Sequence, residues 1–267
     1  MTADYVIIHD HRRSKHDRLS AAHHLRARAR QFREEGFFVR ERTVPPSDLD
    51  TLRGECQRFI DERDREMDRL GVDQLDLDRR GSRYFVHAYG KSAEVERLLC
   101  SDLMVQIAQA ALGNTVYLFN EQYVVKAAEQ GMPFSWHQDS GFIDYPHRPY
   151  LTCWIALDDM TKANGTVYLL PYSRAGTRDV VNHTRDEESN DLVGYFGRDP
   201  GDPVIVPAGS IACFSSTLFH RSGANTTDRV RRVYVAQYSA EPILSEDGSQ
   251  PLRLAEPLLV EGNRVVS

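Results

Sequence analysis

The second half of the chain is a series of short β-rich segments separated by turn residues, and this pattern constrains the fold more than any other feature. Segments such as Val116 to Lys126, Tyr150 to Leu157 and Val230 to Tyr238 are rich in β-branched and aromatic residues. Turns such as Pro207-Ala208-Gly209 separate them. Many short strands without intervening helices predict an antiparallel sandwich or barrel. Three further strands are predicted by the same criteria: Gly165 to Leu170, Pro203 to Val206 and Ser210 to Phe214.

The first 112 residues are predicted to be mostly helical from the spacing of their apolar side chains. Helices are expected over Ser20 to Glu35, after an N-cap at Ser47, and over Ala93 to Leu112. Short strands are expected between them at Phe37 to Val39 and Arg83 to Tyr89. Because 267 residues can bury one large core, we expect a single domain over residues 1–267. It would consist of a helical part at 1–112, a β core at 113–240 and a C-terminal extension at 241–267.

Composition and charge exclude several classes of protein. The longest apolar runs are far too short to span a bilayer, and the N-terminus lacks the apolar stretch of a signal peptide. A formal net charge of −6 gives no overall attraction to nucleic acid. We therefore expect a cytoplasmic protein whose partner is neither nucleic acid nor a membrane. The cysteines lie too far apart for a zinc ribbon or a disulfide framework, as expected in a reducing compartment: Cys56, Cys100, Cys153 and Cys213.

A long polar segment interrupts the predicted strands. Thr177 to Asp202 is poor in strand-forming residues and lies between two predicted strands. Long loops of this kind are often functional lids. We therefore predict that this segment, called the excursion below, is a mobile lid over a binding pocket.

A metal site is predicted from two histidines and an aspartate. His137 and Asp139 stand two residues apart in the sequence SWHQD, and alternate side chains of an extended segment share a face. A second histidine, His220, follows the predicted strand Ser210 to Phe214. Two imidazoles and one carboxylate on one face of an ion leave the opposite face open for a chelating cosubstrate and dioxygen. This arrangement is preferred by non-haem iron(II) oxygenases.

An arginine near the last predicted strand could hold the distal carboxylate of such a cosubstrate, for example 2-oxoglutarate. A guanidinium group suits this role because it can donate two parallel hydrogen bonds to a carboxylate. Arg231 shares strand parity with Val233 and Val235, whereas Arg232 points the other way. Arg229 has the same parity as Arg231 but lies closer to the turn. Parity therefore leaves Arg229 and Arg231 as alternatives.

Several ordered motifs extend this pattern over most of the chain, from Phe32 to Tyr238. They are Phe32, Gly36 and Phe37; the WHQD sequence that begins at Trp136; Trp154 with Leu157 and Asp158; Asn164-Gly165 ahead of Leu170-Pro171; and the sequence from His220 to Asn225 followed by Arg231. Together these motifs resemble the phytanoyl-CoA dioxygenase family of iron(II)- and 2-oxoglutarate-dependent oxygenases.

The resemblance implies a fold and a metal site. The expected fold is mainly β with flanking helices, built around a double-stranded β-helix, a jelly roll of the cupin type. His137, Asp139 and His220 would bind iron(II). The retained aspartate argues against the halogenating branch of these enzymes, in which a small residue replaces the carboxylate.

The resemblance also implies a cosubstrate site. Arg231 would hold the C5 carboxylate of 2-oxoglutarate with the assistance of Ser222. Trp154 and Gln122 would line the cosubstrate pocket. One departure from the family pattern is Arg174, where the family commonly has a histidine in the turn after the motif proline. This departure would affect the shape of the substrate site or nothing.

The expected activity is oxidation of an unactivated C–H bond of a small organic substrate with iron(II), 2-oxoglutarate and dioxygen. Hydroxylation is the default outcome; cyclisation, epimerisation and desaturation start from the same hydrogen abstraction. The segments predicted to line the substrate pocket are Gly141 to Pro149, the excursion and the region around Tyr84. They lack a Lys/Arg cluster for coenzyme A phosphates, so we favour a natural-product scaffold over an acyl-CoA. The alternative is a cupin-like metal-binding protein or isomerase that does not use 2-oxoglutarate. Such a protein would have no need of Arg231 and Ser222.

Overall fold

Two antiparallel β-sheets face each other, and helices cover the outer face of the larger one. The structure, a computed structural model, describes residues 27–187 and 191–265. The described helices are α1 (27–35), α2 (Pro46–Leu70), α3 (Ala93–Leu99), α4 (Asp102–Leu112) and the single turn α5 (Tyr172–Ala175). A 3₁₀ turn lies at Asp139–Phe142.

The strands are, in chain order, β1 (Phe37–Arg40), β2 (Gln74–Leu75), β3 (Asp78–Arg79), β4 (Arg83–Val86), β5 (Val116–Lys126), β6 (Phe134–His137), β7 (Leu151–Ala156), β8 (Val167–Leu169), β9 (Thr184–Arg185), β10 (Leu192–Val193), β11 (Asp202–Pro203), β12 (Ile211–Ser215), β13 (His220–Ser222), β14 (Arg231–Ser239), β15 (Glu256–Val260) and β16 (Asn263–Arg264). The larger sheet has the order β1-β12-β7-β14-β5-β4-β3-β2, with β15 paired to β5 and β16 to β15. The smaller sheet has the order β11-β8-β13-β6, and β9 and β10 form a separate hairpin. The double-stranded β-helix fold class is thereby confirmed.

Strand alternation divides the buried residues into two layers. Because successive side chains point to opposite faces of a strand, each central strand contributes to both layers. The inner layer, between the two sheets, includes Trp154, Val167, Leu169, Phe214, Val233 and Val235. The outer layer joins the larger sheet to the helices and includes Leu52, Phe59, Val95, Ile107, Tyr123, Ile155 and Tyr234. The inner face of the larger sheet is the one that carries the candidate site.

Strands from both flanks join the larger sheet. β1 pairs with β12, β4 pairs with β5, and β15 pairs with the other end of β5. The predicted β core at 113–240 therefore shares its sheet with segments from 1–112 and 241–267. The single-domain organisation stays a prediction, and its first 26 residues and last two lie outside the described residues.

Some predicted elements differ from the structure for local reasons. Helix α2 begins at Pro46 and has Pro45 as its N-cap, so the prediction of an N-cap at Ser47 was wrong. Proline suits the first helical position because its missing N–H has no partner there anyway. The predicted helix over Ala93 to Leu112 is two helices, because the Ser101 side chain accepts a hydrogen bond from the Met104 N–H and starts a new one. Of the predicted strand Pro203 to Val206, only Pro203 is in a strand.

Candidate metal centre

The structure brings His137, Asp139 and His220 together at one end of the smaller sheet. His137 and His220 lie opposite each other in the register of β6 and β13. The Asp139 Oδ1 atom is 3.5 Å from His220 Nε2 and 4.0 Å from His137 Nε2. One ligand atom from each residue lies within 4.8 Å of the others. The three residues are therefore close enough to hold one metal ion, and their role as iron(II) ligands stays a prediction.

Hydrogen bonds orient both imidazoles toward a metal. His137 Nδ1 lies 2.7 Å from the Ser135 carbonyl oxygen, and His220 Nδ1 lies 3.1 Å from that of Leu218. Donation to a carbonyl places the proton on Nδ1 and leaves the Nε2 lone pair free for an ion. Burial, and then the neighbouring His220, hold the pKa of His137 below its usual value, which favours the neutral, metal-binding form.

Two side chains of the larger sheet hold the Asp139 carboxylate. The Thr152 hydroxyl donates to Asp139 Oδ2 at 2.5 Å, and the Gln237 amide donates to the same oxygen at 3.1 Å. Thr152 and Gln237 are direct neighbours across β7 and β14, and Asn120 donates to the Gln237 oxygen at 2.9 Å. Because Oδ2 is occupied, Oδ1 is the oxygen that faces the imidazoles. Strand parity is the one sequence signal that could have indicated Thr152 and Gln237.

We expect Thr152→Val to lower metal affinity by about ten- to a hundredfold, because groups that hold a metal-binding carboxylate have effects of that order. The substitution removes one hydroxyl and preserves side-chain shape. Calorimetric titration with manganese(II), a redox-stable substitute for iron(II), measures the affinity. Thr184→Val makes the same change at an exposed strand position and is the control. Equal affinities in the two variants would contradict the role of Thr152.

Arg231 is the arginine that points between the sheets. Its side chain is among the largest that are fully buried, whereas Arg229 is exposed and Arg232 pairs with Asp158 at 2.9 Å. Among the residues that the structure describes, the Arg231 guanidinium donates to two backbone carbonyls, those of Val124 at 3.2 Å and Gly165 at 3.3 Å. Its Nε has no hydrogen-bond partner among the described residues. Burial lowers the pKa of Arg231 to about 10, so the group is still charged at neutral pH.

A buried lysine lies beside Arg231 and was missed by the sequence analysis. Lys126 is opposite Arg231 in the register of β5 and β14, and its side chain is completely buried. The Lys126 Nζ atom lies 2.8 Å from the Ser222 hydroxyl and also contacts the Gly223 carbonyl. The sequence did contain a signal for Lys126: it lies four residues after Gln122 on the same predicted strand, so both side chains share one face. Arg231, Lys126 and Ser222 therefore form a cluster of hydrogen-bond donors, called the anion cradle below.

Trp154 and Gln122 lie between the metal site and the anion cradle. Both pair with Val235, in β7 and β5 respectively, so the three share one row on the inner face of the larger sheet. Trp154 is only 6% exposed and packs in the inner layer, whereas Gln122 is half-buried. Their predicted role in lining the cosubstrate pocket stays a prediction.

Hydrogen bonds attach the excursion to Trp136 and Gln138, the two residues on either side of His137. The buried Gln138 amide donates to the Asp179 carbonyl at 2.9 Å and accepts from the Val181 N–H at 2.9 Å. The Gln138 N–H donates to His183 Nε2 at 3.0 Å, and the Gly194 N–H donates to the Trp136 carbonyl at 2.8 Å. These contacts suggest a wall at 179–183 and 194 that is held against the His137 segment, while the mobile lid over Thr177 to Asp202 stays a prediction. Residues 188–190 lie outside the described part.

Hydrogen exchange can test whether the wall is fixed. We expect slow exchange of the Val181 and Gly194 amides in the absence of any ligand, because both are hydrogen bonded to the metal-ligand strand. Gln138→Leu should raise exchange over 179–183. Gln57→Leu, which changes an exposed glutamine of α2, should not. Fast exchange at 179–183 in the native protein would instead support the mobile lid.

Arg174 has a structural role. Its guanidinium donates to Asp199 at 2.7 and 2.9 Å and to both oxygens of Asp202 at 2.8 Å. The residue that departs from the family pattern thus fastens the closing end of the excursion.

Comparisons with known proteins agree with this geometry. The sequence profile described as phytanoyl-CoA dioxygenase (PhyH) matches residues 32–233, about three-quarters of the chain. The chain belongs to the phytanoyl-CoA dioxygenase family. A probable alpha-ketoglutarate-dependent hypophosphite dioxygenase of Stutzerimonas stutzeri is 28% identical over 181 residues, which cover 64% of this chain and 62% of that protein.

Two further relatives match different shares of this chain. An ectoine dioxygenase of Nocardia farcinica is 25% identical over 239 residues, which cover 82% of this chain and 80% of that protein. An L-proline trans-4-hydroxylase of Streptomyces griseoviridis is 28% identical over 54% of this chain and 62% of its own. The chain thus spans about three-fifths of the length of two of these relatives.

Solved structures show the same fold. The epimerase SnoN, in complex with Fe³⁺, alpha ketoglutarate and nogalamycin RO, has a TM-score of 0.63 at 20% identity, covering 90% of this chain and 98% of SnoN. EctD from S. alaskensis, with 2-oxoglutarate and 5-hydroxyectoine, has a TM-score of 0.62 at 21% identity, covering 90% and 87%. At these identities the likeness establishes the fold of this family member.

Proposed function

We propose that the protein is an iron(II)- and 2-oxoglutarate-dependent oxygenase that oxidises an unactivated C–H bond of a small organic substrate. One observation carries the proposal: the buried guanidinium of Arg231 has no carboxylate partner in the described residues and lies between the sheets that hold a His-Asp-His set. A buried charge without a counterion is costly, so the site calls for an anionic ligand. The distal carboxylate of 2-oxoglutarate supplies that anion.

The residues fit both ends of such a cosubstrate. His137, Asp139 and His220 would hold iron(II), and the anion cradle would hold the C5 carboxylate. Ser222 follows His220 by two residues on β13, which corresponds to about 6–7 Å along a strand. That spacing is comparable with the span of a five-carbon dicarboxylate that chelates a metal at one end. Iron(II), 2-oxoglutarate and dioxygen together supply the oxidising power, and succinate and carbon dioxide are released.

The chain itself binds and orients the reactants and limits access of water. Hydrogen bonds fix the two imidazoles and Asp139, so the ligand set is preorganised. The inner layer around Trp154 keeps bulk water from the anion cradle, which strengthens its interaction with a carboxylate. Phe142 is 60% exposed, and its ring meets the His137 ring edge-on with the two ring centres 5.6 Å apart. It would offer an apolar surface next to the metal site.

We infer that the substrate binds on the half-buried inner face of β4 and β5. Phe85 and Gln122 are partly exposed there, and His87 follows β4 with its side chain 49% exposed. Hydroxylation is the default outcome. Cyclisation and epimerisation are supported as alternatives, since structural neighbours include the carbocyclase SnoK and the epimerase SnoN. Both come from nogalamycin biosynthesis, which supports a role in tailoring a natural product.

Turnover of 2-oxoglutarate tests the proposal. With iron(II) and air, the protein should release succinate from 2-oxoglutarate, and a member of a panel of small organic compounds should accelerate the release. The alternative, a cupin-like metal-binding protein or isomerase, would bind the metal without consuming 2-oxoglutarate. Metal binding with neither binding nor consumption of 2-oxoglutarate would therefore decide for that alternative. The anion cradle favours the oxygenase, because an isomerase would not need it.

The setting that we propose is the cytoplasm, with a small molecule as the partner. Cys56, Cys100, Cys153 and Cys213 are all free thiols, which suits a reducing compartment. None of the helices in the described residues is long and apolar enough to cross a membrane. The net charge of −6 offers no general attraction to nucleic acid.

A further inference from the structure

Lys126 is an unusual group to find inside a protein. Its side chain is fully buried, and in the described part of the chain its Nζ atom forms no ion pair with a carboxylate. The nitrogen lies 4.8 Å from the centre of the Phe134 ring. Lysine is almost never fully buried unless it is paired. The position of Lys126 therefore requires either an uncharged amine or an anion that arrives from outside.

The charged groups that face Lys126 favour the uncharged amine in the empty protein. Arg231 of β14 and Arg83 of β4 are both directly opposite Lys126 in register, so three cationic residues form one row across three strands. Asp191 of the excursion is the acidic group close enough to oppose them. Burial, and then the charge of Arg231, lower the pKa of Lys126 to about 5, which makes the amine neutral at pH 7.

Ser222 and Gly223 are the two hydrogen-bond partners of the Lys126 nitrogen. A third hydrogen-bonding position on this nitrogen has no partner among the described residues. The Gly223 carbonyl can only accept a hydrogen bond, and the Ser222 hydroxyl provides a second partner at 2.8 Å. A neutral amine that donates twice presents its lone pair to the rest of the cradle, and this lone pair would repel a carboxylate. An ammonium group has three donors, so its third N–H would meet that carboxylate instead.

We propose that Lys126 is neutral in the empty cradle and takes up one proton when the distal carboxylate of a 2-oxo dicarboxylate binds, so that cosubstrate binding is coupled to protonation. The proton comes from solvent and ends on the Lys126 nitrogen; no covalent bond is changed in the ligand. The inference rests on the proposed function, because it assigns the ligand of the cradle. It adds Lys126 as a positioning residue and makes the affinity depend on pH.

The direction of this pH dependence follows from the two protonation states. Below the pKa of the empty cradle, about 5, Lys126 carries its proton with or without ligand. Above the raised pKa of the complex, Lys126 is neutral in both states. Affinity for 2-oxoglutarate therefore changes between these two limits only, and it falls as pH rises by up to about tenfold per pH unit.

Calorimetry of 2-oxoglutarate binding to the manganese(II)-loaded full chain tests the proposal without turnover. Titrations near pH 6, about one unit above the pKa of the empty cradle, are run in two buffers of different ionisation enthalpy. The difference in observed heat gives the number of protons taken up. We expect about 0.5 to 1 proton for the native protein and for Lys162→Met, which changes an exposed lysine.

Two variants isolate Lys126. Lys126→Met, which preserves length and volume, should bind 2-oxoglutarate about tenfold more weakly and without proton uptake. Lys126→Arg keeps a permanent charge, so its proton uptake should also vanish. Native protein that binds 2-oxoglutarate with no proton uptake overturns this inference and leaves the proposed function intact, even where neither variant folds. Native protein that binds manganese(II) but not 2-oxoglutarate overturns both.

Discussion

Replacing both His137 and His220 with alanine should abolish iron(II) binding, since it removes two of the three ligands of a single facial site. Asp139→Ala should abolish turnover while iron is still held weakly by the two imidazoles. The reason is geometric: Asp139 Oδ1 lies within 4.0 Å of both Nε2 atoms, and within residues 27–187 and 191–265 no other acidic side chain belongs to this group. Anaerobic calorimetry with iron(II) measures the affinity, and succinate release measures the turnover.

His87→Ala is the matched control for the metal site. The His87 ring contacts the backbone carbonyl of Glu121 and lies outside the ligand set, so its removal should leave iron affinity unchanged. Circular dichroism establishes that each variant is folded. Unaltered iron affinity in the His137→Ala, His220→Ala double variant would show that the metal binds elsewhere.

Arg231→Ala should raise the KM for 2-oxoglutarate by at least about tenfold, because a charge-assisted bidentate interaction contributes about 1.5–3 kcal/mol. Iron(II) affinity should stay near that of the native protein, since the guanidinium does not contact the metal ligands. Direct binding of 2-oxoglutarate to the manganese(II) form separates the loss of affinity from any change in turnover.

Arg229→Ala is the control for this prediction. It removes an arginine two residues away that shares the strand parity of Arg231 but is exposed. The KM of Arg229→Ala should equal that of the native protein. A large effect in Arg229→Ala together with none in Arg231→Ala would move the clamp to Arg229.

The sequence determined the elements whose signal is local. The β-branched and aromatic composition predicted β5, β7 and β14 to within one residue at each end. The spacing of His137 and Asp139 predicted a shared face. The order of the motifs predicted the family, which the profile match confirmed. Local signals failed where one side chain decides a boundary, as at Ser101, whose hydroxyl caps a second helix inside a predicted single one.

Only the tertiary structure chose between residues that have the same pattern. Arg229 and Arg231 share their parity in the sequence, and burial between the sheets distinguishes Arg231. Thr152 and Gln237, which hold Asp139, come from strands 85 residues apart in the sequence. Lys126 joins Arg231 through the pairing of β5 with β14. The physical reason is that the alternation of side chains along a strand determines only the face on which each side chain lies. Its neighbours on the adjacent strands depend on strand order and register. Strand order and register are set by contacts between residues that are distant in sequence.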